Sequence, residues 1–252
     1  MYNDLLKMAN IVKCRGFVLK TFPFKESSLI VSVLTNRFGK VKVLAKGVRR
    51  PKSRICGAME PFNLDEIIFY KREFKEIYNL SDAVIIDGFD QIRNDPQKVS
   101  AALVLCEFYD KTLPSEEMDA QAFSLFLGFL KRLRYSQGTA VRALVTSCLL
   151  RALCGAGVMP HLDDCVRCHG SVSRDNEKTD FSVAAGGFVC SKHHDDTVML
   201  LSHGTVNTLR KIYNKQEAPI DNDSLAEIEN FLADYMYVHL NNLNLNALKH
   251  LR

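Results

Sequence analysis

Over the first ninety residues or so the pattern of apolar positions reads as strands. Residues 14–22 and 28–35 are rich in β-branched and aromatic side chains, and residues 40–46, KVKVLAK, alternate charge with apolar side chains almost without a break. Period two is the mark of a strand with one face on a core and the other in water, and here the wet face is basic. Asn36-Arg37-Phe38-Gly39 is a turn signal between the second and third strands. Two more strands are predicted over 62–70 and 76–86, separated by the charged turn Lys71-Arg72-Glu73. Five short strands without an amphipathic helix among them predict a small antiparallel barrel, and the OB-fold is the common barrel of this size.

After Asp87-Gly88 the period lengthens to that of a helix. Asn94-Asp95-Pro96 is a helix start, with Asp as the cap and Pro in the first turn, and Val99, Ala102, Leu103, Cys106 and Tyr109 follow at helical spacing. Leu113-Pro114-Ser115 ends this helix, and Ser115 is the expected cap of a second that runs to about residue 135. A third helix is predicted over 140–154, then an irregular Cys- and His-rich stretch from 158 to 200, then helices over 202–213 and 224–239. Ser224-Leu-Ala-Glu227 reads as a capping box for the last. The predicted fold class is α+β: an OB-fold barrel over residues 1–88, then a mostly helical domain over residues 89–252 with a Cys/His insert at about 160–198.

Composition narrows the function classes. The chain has 252 residues, 47% hydrophobic and 25% charged, as ordinary globular proteins do. Its longest apolar region, 143–158, is interrupted by Arg151 and falls short of the roughly 20 residues a bilayer crossing needs. The opening MYNDLLKMAN lacks the basic-then-apolar order of a secretory signal. The expected compartment is the cytoplasm, where the eight cysteines stay reduced. The net charge of +4 conceals an asymmetry: residues 1–80 hold 16 basic against 7 acidic side chains, and the remainder is net negative. That is the footprint of a polyanion-binding module joined to a near-neutral body.

Two constellations carry candidate chemistry. Cys165-Val-Arg-Cys168 and Cys190-Ser-Lys-His193 are two x2-spaced ligand pairs 21 residues apart. Two such tight turns facing each other make a tetrahedral zinc site with three sulfurs and one nitrogen. His169 and His194 are rival nitrogen ligands. Four protein ligands close the site to water and no general base accompanies them, so one structural zinc is expected and no catalysis. The His-x-Glu of zinc deaminases is missing. The other cysteines, Cys14, Cys56, Cys106, Cys148 and Cys154, read as small core residues. The second constellation is Lys46-Gly-Val-Arg49-Arg50-Pro-Lys52-Ser-Arg54, five basic residues in nine at the end of the alternating strand. Arg forks match phosphate oxygens, and Lys20, Lys40 and Lys42 extend the same face. Phe22, Phe24 and Phe38 are placed to stack on bases, against the plainer reading of each as barrel core. A weaker feature is Arg132 at the close of one helix with Arg142 and Arg151 on the next. These could rim an apolar groove for an acidic peptide, where ordinary helix-surface charge is the competing reading.

At this point the chain resembles the RecO family of bacterial DNA repair and recombination mediators over nearly its whole length. The residues that carry the likeness are Gly16-Phe17-Val18-Leu19-Lys20, Glu26-Ser27-Ser28-Leu29-Ile30-Val31, Thr35-Asn36-Arg37-Phe38-Gly39-Lys40, the 45–54 run and Glu60-Pro61-Phe62. Ile92-Arg93-Asn94-Asp95, the Cys165/Cys168 pair and Leu201-Ser202-His203-Gly204 continue it. The resemblance implies an OB-fold on a helical domain with a zinc module, and a non-enzymatic role. It implies binding of single- and double-stranded DNA, annealing of complementary strands, contact with the acidic tail of the single-strand binding protein SSB, and loading of RecA together with RecR. The family's phosphate-binding role falls on Lys46, Arg49, Arg50, Lys52 and Arg54. The rival readings are another OB-fold and zinc-knuckle protein bound to RNA or the ribosome, a metal-dependent hydrolase, and a scaffold whose basic run meets a protein.

Overall fold

The computed structural model describes residues 10–172, 178–194, 198–214 and 220–250. The opening segment read for a secretory signal lies almost wholly outside them. The chain divides into two compact units, residues 1–135 with 245–252, and residues 136–244. Each is taken by itself.

The first unit is built on a closed five-stranded barrel of β1 (Asn10–Phe24), β2 (Ser28–Thr35), β3 (Gly39–Ala45), β4 (Leu64–Lys71) and β5 (Ile77–Asp87), in the order β1-β2-β3-β5-β4. This is the OB-fold expected from the alternation. One pairing departs from the antiparallel expectation: β3 and β5 run parallel through a short register, Lys42 opposite Ile77 to Leu44 opposite Asn79. Closure requires it, because the long β1 pairs with β4 through its first half and with β2 through its second. A bulge between Val18 and Lys20 lets β1 bend from one partner to the other. Val18, Val31, Val33, Val41, Val43, Ile67 and Phe69 fill the interior. At Gly16 a Cβ would come within 2.4 Å of Val33, so only glycine fits where the strands crowd.

After the short helix α1 (Asp90–Arg93), α2 (Pro96–Thr112) begins as predicted, with the Asp95 carboxylate accepting from the N–H groups of Gln97 and Lys98. Its burial extends well beyond one stripe, since it lies against β1 on one side, meets α3 (Ala120–Leu133), and is overlaid by a 3-10 turn at Asn246–His250. The Glu107 carboxylate accepts from the N–H of Ala247 and ties that turn down. The cap of α3 is Asp119, which accepts from Ala122 N, and not Ser115. Ser115 instead forms a parallel bridge with Lys40, and the N–H of Glu116 donates to the Lys40 carbonyl. A β-type contact thus takes the residues that local sequence assigns to a helix start.

The second unit holds α4 (Thr139–Gly155), the three-stranded sheet of β6 (Lys178–Ser182), β7 (Gly187–Phe188) and β8 (Met199–Ser202), and helices α5 (His203–Tyr213) and α6 (Asn222–His239). The capping box at Ser224 does not form. Asp221 caps α6 by accepting from Ser224 N, and the Glu227 carboxylate accepts from Ser202 N, Ser202 Oγ and Thr205 Oγ1 at the head of α5. Phe181 packs edge-on against Phe188 and Phe231, which fastens the small sheet to α6. Cys14, Cys106 and Cys148 are buried as expected, whereas Cys56 and Cys154 are exposed. The helical spacing that placed Cys154 in a core is right for its helix, but this residue lies in the last turn, past the packed stripe.

Candidate nucleic-acid interface and metal centre

On a barrel wall, residues paired across strands form rows on one face. Lys20 lies opposite Ser32, and Ser32 opposite Lys42, so two exposed ammonium-bearing chains flank a buried serine on the outer wall of β1, β2 and β3. The next row is Phe22, Ile30 and Leu44, and Phe24 follows opposite Ser28. Phe22 is 39% exposed, with the Lys20 Nζ 4.7 Å from its ring centre, and Phe24 is half-buried with the Lys25 Nζ at 5.6 Å. Sequence reasoning passed over Lys25, although the run Thr21-Phe-Pro-Phe-Lys25 carries the alternation of ring and charge. Phe38 goes the other way. It packs against the barrel core, edge-on to Phe69 at 5.9 Å.

The basic run leaves the end of β3 as an ordered loop. Gly47, at φ 67°, makes the turn that an L side chain would resist, and Val48 is fully buried, pinning the loop to the barrel. Arg49 N donates to Ser27 O at 2.9 Å, Arg50 N to Gly47 O at 3.1 Å and Ser53 N to Arg50 O at 3.2 Å. Lys46, Arg49, Arg50, Lys52 and Arg54 are all exposed, as is Lys42. Among the described residues no carboxylate pairs with any of these six, while Lys13, Lys71, Arg93 and Arg134 in the same unit each have one. A cluster of such like charges on a hydrogen-bonded loop repels itself and attracts polyanions.

Lys40 is a correction. Its place two residues before Lys42 puts it on the same side of β3, but that end of the face is roofed by the segment around Ser115 and the end of α2. Lys40 is 8% exposed and its Nζ donates to the Asp110 carbonyl at 2.5 Å, so it holds the C-terminus of α2 and offers nothing to solvent. Burial lowers its pKa from the usual lysine value, with Asp110 opposing. Arg142 is also spent internally. Its guanidinium forks onto Glu229 of α6, Nε to Oε1 at 3.0 Å and a terminal nitrogen to Oε2 at 2.6 Å. Arg151 is half-buried, with its Nε lacking a partner among the described residues. Arg132 belongs to the other compact unit. The expected Arg-rimmed groove loses Arg142 to this ion pair, because the register that aligned the arginines along α4 says nothing about which carboxylate packs beside them.

The four expected metal ligands converge. Donor atoms of Cys165, Cys168, Cys190 and His193 lie within 4.8 Å of one another. Cys168 Sγ is 3.8 Å from Cys190 Sγ, and His193 Nδ1 is 3.6 Å from Cys165 Sγ and 3.3 Å from Cys190 Sγ. Zn–S bonds of about 2.3 Å and Zn–N bonds of about 2.0 Å on a tetrahedron separate the donors by roughly 3.5–3.8 Å, so the residues fit a zinc ion. Burial disfavours the Cys165 thiolate, yet the N–H groups of Cys190, Arg167 and Cys168 outweigh it and bring that thiol down to about 6, as a thiolate ligand needs. His194 turns to Asp180, Nδ1 to Oδ2 at 2.9 Å, which leaves His193 as the nitrogen facing the sulfurs. The knuckle is anchored from α5 by Arg210, which donates twice to Leu162 O and lies 5.4 Å from the Phe188 ring centre.

The chain is similar to known proteins over nearly its whole length. A relative named DNA repair protein RecO from Alkaliphilus metalliredigens (strain QYMF) is 25% identical over 249 residues, 95% of this chain and 98% of its own. Proteins of the same name from Exiguobacterium sibiricum and Bifidobacterium longum (strain DJO10A) are each 32% identical over 186 residues. They cover 74% and 73% of this chain, and 72% and 75% of their own lengths. The family descriptions "Recombination protein O N terminal" and "Recombination protein O C terminal" match residues 8–89 and 93–249. With nearly its full length matched by the two halves of one family, the chain belongs to the recombination protein O (RecO) family.

Proposed function

We propose that this protein is a recombination mediator in DNA repair, cytoplasmic and associated with the nucleoid. In this reading residues 1–88 bind single- and double-stranded DNA, and residues 89–252 carry the zinc module and the partner contacts. The observation that carries it is the set of six exposed cations without a carboxylate partner among the described residues, Lys42, Lys46, Arg49, Arg50, Lys52 and Arg54, on one wall and loop of an OB barrel. Phosphate contacts give affinity without sequence discrimination, and the exposed Phe22 beside Lys20 adds a surface on which an unpaired base stacks.

Annealing then needs no catalytic residue. Two complementary strands repel through their phosphates, and cations that neutralise one or both lower the barrier while base pairing supplies the free energy. Membership in the family supports contact with the SSB tail and cooperation with RecR in placing RecA on covered strands. Zinc, held by Cys165, Cys168, Cys190 and His193, would supply a cross-link between the two turns that carry these ligands.

The test is anisotropy of a labelled single-stranded oligonucleotide across a salt series. Binding is expected to fall steeply with salt. Replacing Arg49, Arg50 and Arg54 by Ala should lower affinity alike on every sequence and make the log–log salt slope shallower by about two, at ~0.7 per phosphate contact on single strands. An unchanged slope in the triple variant, or loss confined to one sequence, rules out phosphate tracking by this loop.

A further inference from the structure

The nine residues His161-Leu-Asp-Asp164-Cys165-Val-Arg-Cys168-His169 contain more ligand chemistry than one closed zinc site uses. His161, Asp164 and His169 bring two imidazole nitrogens and a carboxylate oxygen within 4.8 Å of one another, sharing no atom with the thiolate set. Asp164 Oδ1 is the focus, 2.6 Å from His161 Nε2 and 3.4 Å from His169 Nδ1. The second distance matches the roughly 3.3 Å edge of a tetrahedron with Zn–N and Zn–O bonds of about 2.0 Å. The first is a hydrogen bond that an arriving cation would replace.

The backbones that carry the two imidazoles are fixed by groups outside the trio. His161 is held in the small sheet's frame, its N–H donating to Gly186 O at 2.8 Å and its carbonyl accepting from Phe188 N at 3.1 Å. Gly187 permits that approach, since a Cβ there would sit 2.8 Å from the His161 Cβ. Leu162, the next residue, is clamped by Arg210. His169 closes the knuckle turn by donating its N–H to Cys165 O at 2.8 Å, in a left-handed conformation with φ 56°. All three side chains reach solvent, His169 at 75% exposure, so the centre they define opens outward.

We infer that the knuckle carries a second metal site, a three-ligand His161–Asp164–His169 centre for a divalent first-row transition ion such as Zn²⁺, open to water in its remaining position. Two imidazoles and a carboxylate suit zinc and its neighbours and are a poor match to the all-oxygen shells of Ca²⁺ and Mg²⁺. The closed thiolate site and the open imidazole site draw on one loop, so filling the first orders the backbone that presents the second. Thiolates bind the more tightly of the two, and zinc is expected to enter in that order.

The experiment is titration of the full chain with Zn²⁺, counted by elemental analysis after gel filtration, and in parallel with Co²⁺ read by absorption. Two equivalents per chain are expected. The first should show the intense sulfur-to-cobalt charge-transfer band, and the second only weak ligand-field absorption. His169→Gly is the main variant, because glycine accepts the left-handed turn and deletes a donor without straining the knuckle. His161→Ala is the second. Each should reduce the count from two to one and leave the charge-transfer band in place. A wild-type count that stays at one under excess zinc, or a second equivalent that survives in the His161→Ala/His169→Gly double variant, overturns the site. Absence of the charge-transfer band would instead count against the cysteine site.

Discussion

Lys40 and Lys42 differ by two positions on one strand and share its outer side, yet one is enclosed and the other faces water. Lys42→Ala is expected to weaken oligonucleotide binding several-fold with little change in stability. Lys40→Met should leave affinity intact and cost about 1–3 kcal/mol, because the Asp110 carbonyl at the end of α2 loses its charged donor; thermal melts beside binding curves separate the two. Asp65 is a second residue whose surroundings set its chemistry. It is fully buried on β4, its two carboxylate oxygens lack hydrogen-bond partners among the described residues, and burial, opposed by Arg93, raises it to about 8. The unfolded chain releases this proton near 4, so between about pH 4 and 8 the folded state holds more protons. Its contribution is therefore full below pH 4 and is lost as the pH rises towards 8. Asp65→Asn should remove that part of the slope, seen as a smaller fall in melting temperature from pH 5 to pH 8 than the parent shows. An identical fall in both would mean that Asp65 is ionised in the fold.

At the scale of elements, the informative cases are those where a local signal was present and a distant partner took the residue. Ser224 and Glu227 have the spacing of a capping box, but Glu227 gathers three donors at the head of α5 while Asp221 caps α6. Glu227→Ala is thus expected to loosen the start of α5, at a cost of about 1–3 kcal/mol, and to leave the first turn of α6 protected in hydrogen exchange. A loss of protection confined to α6 would restore the box. Arg142 shows the same effect between helices. Its forked pair with the largely buried Glu229 joins α4 to α6, and Arg142→Ala should destabilise by roughly 3 kcal/mol, since the carboxylate is left unpaired. If Arg142 served a peptide instead, the melting temperature would hold.

For the whole molecule, the cations of the proposed DNA face lie in the unit of residues 1–135 and 245–252, and the metal ligands lie in residues 136–244. Stripping the metal with a chelator, or Cys165→Ser with Cys168→Ser, should therefore remove the thiolate-bound equivalent and lower the stability of the second unit. The salt slope of oligonucleotide binding is expected to stay where it was. A slope that collapses with the metal would show that the knuckle itself contacts the strand. The C-terminal turn at Asn246–His250 crosses back to α2, so the compact units do not follow chain order from end to end.

Period-two alternation in residues 40–46, the Asp95-Pro96 start and the two x2-spaced ligand pairs determined the barrel strands, the first long helix and the thiolate site from sequence alone. Each is a local consequence of backbone geometry: strand pleat, orphan N–H groups at a helix start, and the short reach of a knuckle. The parallel closure of β3 on β5, the enclosure of Lys40, the caps at Asp119 and Asp221, and the capture of Arg142 by Glu229 were decided by tertiary structure. In each of these a polar group met a partner from a distant part of the chain, and only the folded arrangement sets which group arrives. The histidines at 161 and 169 belong with them, since a nine-residue loop names its ligands but the fold sorts them into sets.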